Sequence, residues 1–168
     1  MHEIHATTGL PKAEAYRAMN AQLVAVLAGE PSALANVANM AALLYQSLAD
    51  LNWAGFYFLR GGELVLGPFQ GKVACVRIAL GRGVCGTAAE ARRTIVVPDV
   101  HAFPGHIACD AASRSEIVIP LLAGALLLGV LDIDSPGTAR FDAADAAGLG
   151  ELARLFVAAS ASGGAHAA

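Results

Sequence analysis

Between Lys12 and Gly29, the residues Tyr16, Met19, Leu23, Val26 and Leu27 recur at mostly three- and four-residue intervals. That spacing puts them on one face of a helix. Pro31-Ser32 interrupts the pattern. A second helix is predicted from there to Asp50, with Leu34, Val37, Met40, Leu43, Leu44 and Leu48 along one face. The period then changes. Asn52 to Leu59, "NWAGFYFL", is aromatic and alternating, and Arg60-Gly61-Gly62 is a hairpin signal before the return strand "ELVLGPF". "KVACVRIAL" predicts a further extended segment, closed by Gly81-Arg82-Gly83. "VCGTAAEARR" predicts a short helix and "TIVVPDV" a strand.

Pro98 to Ser115 is polar and contains Pro and Gly. A loop that long inside a compact domain is usually functional or disordered. Strands are predicted at Glu116–Leu122 and Leu126–Asp134 with a tight connection, then a closing helix from Phe141 to Ala159. Helices, a run of strands in hairpins and a final helix give an α+β layer with a mainly antiparallel sheet. There is no internal repeat or linker, so residues 1–160 read as a single domain and 161–168, rich in Ala and Gly, as a flexible tail.

Composition narrows this picture. Of 168 residues, 56% are hydrophobic and only 15% charged, which raises the question of a membrane span. The longest apolar run, Ile117 to Leu131, is shorter than a spanning helix and is broken by Pro120 and Gly124. It reads as two buried strands and a turn. The N-terminus has no basic-then-apolar signal pattern. Net charge is −3 and Arg77, Arg82, Arg92 and Arg93 are scattered, which argues against nucleic acid as a partner. Three cysteines, an odd count, argue against a structural disulfide framework and fit a reducing cytoplasm.

Candidate chemistry lies in the later strands. Asp132 and Asp134 share a strand face, ~6.5 Å apart, and continue the stripe Leu126, Leu128, Val130. Ionised carboxylates there need water or a cationic partner, either an ammonium group or a metal ion. Glu116 stands where the polar loop enters a buried strand. A carboxyl pressed against apolar surface has a raised pKa, the condition for a general acid at neutral pH. Trp53 and Tyr57 share a face of the first strand, with Gly55 between them leaving space for a small apolar group. Each of these residues, taken alone, is compatible with an ordinary core or strand-end role. Cys75, Cys85 and Cys109 are individually best read as small buried hydrophobes. His106 and the three cysteines lack the spacing of a zinc site, so no metal is expected. Cys109, on the polar loop near Glu116, meets two conditions for redox chemistry, and Cys75 or Cys85 could resolve a sulfenic acid. Spacing does not choose between them.

"NWAGFYF", "LGPFQGKVACVRI", "GRGVCGTAA", "VPDVHAFPGHIACDAASRSEIVIPL" and "GVLDIDSP", in this order, closely resemble the free methionine-(R)-sulfoxide reductases, small proteins with a GAF fold. The resemblance runs from about Ala13 to Leu155, with Ala79-Leu80 standing where the family tends to have a more proline- and aromatic-rich pair. It implies a GAF fold and commonly a homodimer. It implies Cys109 as nucleophile on the sulfoxide sulfur, Cys75 as main resolving thiol and Cys85 as a secondary one. Glu116 would engage the sulfoxide oxygen, Asp132 and Asp134 the substrate ammonium, and Trp53 and Tyr57 its methyl end. It implies no bound cofactor, with electrons from an external thioredoxin/NADPH system. The competing reading is a GAF module that senses a small ligand without catalysis.

Overall fold

The computed structural model describes residue 7, residues 9–105 and residues 110–162. Helices α1 (Lys12–Leu27) and α2 (Ala33–Ser47) open the chain. Strands β1 (Trp53–Arg60), β2 (Glu63–Gly71) and β3 (Arg77–Ala79) follow, then helix α3 (Gly83–Ala91), strands β4 (Ile95–Val97), β5 (Ser115–Ala123) and β6 (Leu126–Ser135), and helix α4 (Ala143–Ser162). The strands form a six-stranded sheet in the order β3-β2-β1-β6-β5-β4, antiparallel at every pairing. The α+β class and the antiparallel sheet agree with the hydrophobic pattern.

Local signals account for most boundaries. The Ser32 side chain accepts from the Ala35 amide at 3.2 Å and restarts the helix after Pro31, as an N-cap should. Gly61 and Gly62 both have positive φ, 59° and 89°, which a two-residue hairpin loop between Arg60 and Glu63 requires. Three expectations need correction. "KVACVRIAL" is a strand only at Arg77–Ala79, because its first half crosses between strands without a partner ladder. The closing helix runs from Ala143 through Ser162 rather than from Phe141 to Ala159, and residues 163–168 lie outside the described residues. The stripe Leu126, Leu128, Val130 is also broken. The β5–β6 register passes from Leu121↔Gly129 to Leu122↔Leu127, which leaves Leu128 unpaired. This bulge reverses the alternation, so Leu127 joins the core on the α3 side and Leu128 packs on the opposite face.

The sheet is covered on both faces, which explains why the β5–β6 run is almost continuously apolar. On one face Phe56, Ile117, Ile119, Leu131 and Ile133 pack against α1, α2 and α4. On the other, Trp53, Tyr57, Val118 and Val130 face Val84, Cys85, Ala88 and Ala89 of α3. Among the described residues that second layer holds α3 and the 3-10 turn Val100–Ala102, and a hollow lies beside α3.

Helices α1 and α4 are joined by a buried acid. Asp142 caps α4 by accepting from the Ala144 and Asp145 amides, and Asp145 accepts back from the Asp142 amide at 2.9 Å. The Asp145 carboxylate also accepts from Tyr16 Oη at 2.8 Å and Lys12 Nζ at 2.5 Å, both on α1. Above this, the Tyr16 ring lies on Gly148, where an added Cβ would fall 2.2 Å from Cγ of the ring. Helix propensity favours Ala over Gly by about 1 kcal/mol, whereas overpacking costs about 1–3 kcal/mol. Gly148→Ala is therefore expected to lower stability, read as a reduced urea midpoint. An increased midpoint would show that the helices separate freely at this point.

Candidate active site

Side-chain alternation and strand register build the site. On the α3 face of the sheet, Asp134 of β6 pairs with Trp53 on one side and Glu116 on the other. One step along, Asp132 pairs with Gly55 and Val118. Two carboxylates of β6 thus stand between the aromatic residues of β1 and the acid of β5. Helix α3 lies over β5 and β6 and brings Cys85, in its first turn, down onto them. Trp53, Tyr57, Cys85, Glu116, Asp132 and Asp134 all line one cavity of about 40 Å³. These are six of the eight residues singled out from the sequence.

The aromatic wall differs from expectation in one respect. Gly55 does not leave empty space. A Cβ there would fall 2.6 Å from Cη2 of Trp53 and 2.3 Å from Cβ of Phe69. Gly55 instead lets the indole lie flat against the sheet, stacked on Phe69 at 5.3 Å and on Tyr57 at 5.9 Å between ring centroids. The indole Nε1 donates to the Lys72 carbonyl at 3.1 Å, which fixes the start of the segment that carries Cys75.

The carboxylates perturb one another. Burial raises the pKa of Glu116 well above its ordinary range, and the charges of Asp132 and Asp134 raise it further. Burial raises Asp132 as well, but hydrogen bonds from Cys85, Glu116 and the Ile133 amide limit the rise to about 6. Asp134 is raised by burial and then by the charges of Asp132 and Asp110. At neutral pH the pair thus separates into a protonated Glu116, able to donate, and an ionised Asp132. Asp132 is 7% exposed, and its Oδ1 has no hydrogen-bond partner. The Cys85 thiol donates to Glu116 Oε1 at 3.9 Å. Burial and the two neighbouring acids push that thiol well above its usual pKa.

The thiols are not alike. Cys85 is buried and free. Cys75 is half-buried between β2 and β3 and is disulfide-bonded. It follows Val73 and Ala74, which line the cavity. Cys109 and His106 lie outside the described residues. Sequence reasoning missed Asp110 and Ser113, which also line the cavity. Asp110 accepts from the Ala112 amide at 2.9 Å, from Asn52 Nδ2 at 3.2 Å and from Lys72 Nζ at 3.3 Å. The amide bond is the main cause of its lowered pKa. Its place directly after Cys109, in a polar run ending at Ser113, was the available signal.

The fold around this cavity is that of a GAF domain. The GAF domain family model matches residues 13–159. The free methionine-R-sulfoxide reductase of Escherichia coli (strain K12) is 57% identical over 141 residues, covering 84% of this chain and 86% of that one. The Saccharomyces cerevisiae protein of the same name is 49% identical over 135 residues, 76% of this chain and 75% of its own. The X-ray structure of the Neisseria meningitidis free methionine-R-sulfoxide reductase in complex with its substrate superposes with a TM-score of 0.92 at 46% identity, covering 97% of this chain and 98% of that one. The chain belongs to the GAF domain family and, within it, to the free methionine-R-sulfoxide reductases, a family of oxidoreductases.

The buried acids carry a stability cost with a definite pH sign. Asp132 holds its proton more tightly folded, at about 6, than at its ordinary 3.8. The folded state therefore binds more protons across that window, and stability falls as pH rises through it, by up to roughly 3 kcal/mol for this one group. Asp132→Asn is expected to be more stable than the parent at pH 7.5, with the difference vanishing by pH 4 in urea titrations. Equal stability at both pH values would show that Asp132 is solvated.

Proposed function

We propose that the protein reduces free L-methionine-(R)-sulfoxide to L-methionine. The observation that carries this is the unpartnered Oδ1 of buried Asp132, with Asp134 beside it and an aromatic wall opposite. A buried carboxylate oxygen without a partner is costly unless a cationic ligand completes it. The α-ammonium of a free amino acid supplies that charge. A peptide-bound methionine offers a neutral amide and leaves the acids unpaired, so the site rejects it. Trp53 and Tyr57 accept the methyl end.

Sulfoxide oxygen leaves poorly until protonated. Glu116, kept protonated by burial and by its acidic neighbours, is suited to donate to it. In this reading the Cys109 thiolate attacks the sulfoxide sulfur, the oxygen passes to Cys109 as a sulfenic acid, and methionine departs. Cys75 then attacks the Cys109 sulfur, expelling water and forming a disulfide. An external dithiol of the thioredoxin type reopens it and is itself oxidised. The disulfide at Cys75 supports that residue as the resolving thiol. The burial and raised pKa of Cys85 make it the poorer nucleophile of the two. Asp110, adjacent to Cys109 in sequence, lines the cavity, which supports delivery of the loop thiol to its mouth. The cycle suits a reducing compartment such as the cytoplasm.

Incubation with free Met-(R)-sulfoxide and dithiothreitol, followed by assay of free methionine, tests the reading. Turnover is expected with the free substrate and not with a sulfoxide inside a peptide, and Cys109→Ser is expected to abolish it. Full turnover in that variant would remove Cys109 from the nucleophile's role. Asp134→Asn is expected to raise KM at least tenfold. An unchanged KM would mean that the ammonium lies elsewhere.

A further inference from the structure

Cys85 has no step in this cycle, yet it lines the site and is buried. Its Sγ, a carboxylate oxygen of Glu116 and one of Asp132 all lie within 4.8 Å of one another, and all three residues are buried. Zinc–ligand distances of about 2.0–2.3 Å at tetrahedral angles put donor atoms roughly 3.3–3.8 Å apart. The three donors therefore draw together by up to about 1–1.5 Å to close around an ion. The buried, unpartnered Asp132 Oδ1, the atom assigned above to the substrate ammonium, is equally able to take a metal cation when substrate is absent.

We propose that Cys85, Glu116 and Asp132 form a binding site for a thiophilic divalent cation of the zinc class, and that this ion excludes the substrate. One thiolate and two carboxylates suit zinc or cadmium. The thiolate discriminates against magnesium and calcium, which take oxygen ligands. Binding displaces the Cys85 and Glu116 protons to solvent, with no change of oxidation state. The fourth position opens into the cavity, where water completes the shell. An ion there occupies the carboxylates that would hold the substrate ammonium and removes the proton that Glu116 would donate. Inhibition of turnover rests on the reductase reading, whereas capture of the metal does not.

Cadmium is the probe, because a cadmium–thiolate bond gives an ultraviolet charge-transfer band. The protein is used in its oxidised form, in which Cys75 is in its disulfide and Cys85 is free. One cadmium per chain is expected, with the band. Cys85→Ser is expected to lose the band and to weaken cadmium binding at least tenfold. Asp132→Asn keeps the thiol and is expected to weaken binding at least tenfold as well, which covers the case in which the cysteine variant fails to fold. Free methionine is expected to raise the apparent cadmium Kd by a factor of one plus its concentration over its own Kd, and magnesium to leave the band unchanged. A band that survives in Cys85→Ser, or cadmium binding indifferent to Asp132→Asn, would overturn the metal site. If the metal binds as described but free sulfoxide is not turned over without it, the reductase reading fails and the metal site stands. If turnover proceeds and zinc neither binds nor raises KM, the converse holds.

Discussion

The site depends on three carboxylic acids being held where water solvates them poorly. Glu116, Asp132 and Asp134 project from adjacent central strands onto a sheet face that is otherwise apolar and covered by α3. They cannot all ionise there, because burial and mutual repulsion both oppose it. The cluster settles this by dividing roles. Asp132 accepts hydrogen bonds and keeps the lowest affinity for a proton that burial allows, while Glu116 retains its proton. In the proposed reaction one wall would then supply both a negative charge for a cation and a proton. Both functions follow from the same desolvation.

The sheet tolerates this strain because its opposite face is complete. Three helices close over Phe56, Ile117, Ile119, Leu131 and Ile133, and the Asp145 cluster binds the outer helices to each other. Among the described residues the α3 face is covered by α3 and the 3-10 turn Val100–Ala102, and the cavity lies beside α3. The larger core lies on one side of the sheet, and a smaller core with the cavity on the other. The aromatic residues of β1 join the two sides. Phe56 belongs to the core, while its neighbours Trp53 and Tyr57 wall the cavity.

Cys85 illustrates how the same residue type changes meaning with position. At the start of a helix a thiol is ordinarily acidified. Here two carboxylates and full burial outweigh the helix terminus, and the thiol stays protonated and donates to Glu116. Cys75, on the segment before β3, is half-buried and already oxidised. The two thiols are ten residues apart in sequence and chemically unlike, a difference set by their surroundings.

The sequence by itself determined the helices, the hairpins and the pairing of Asp132 with Asp134 on one strand face, because these rest on periods of 3.6 and 2 and on turn residues such as Gly61-Gly62. It also marked Glu116, Trp53 and Tyr57. The bulge at Leu128 was not legible, since it depends on how β5 and β6 slide into register rather than on either strand's pattern. Gly55 was misread for a similar reason: only the packed indole and Phe69 fill the space that it leaves. Asp110 lines the cavity and accepts a hydrogen bond from Asn52, 58 residues away in the chain. Which acid keeps its proton, and which thiol is free, were likewise decided by tertiary structure, because desolvation and charge repulsion act between groups that only folding brings together.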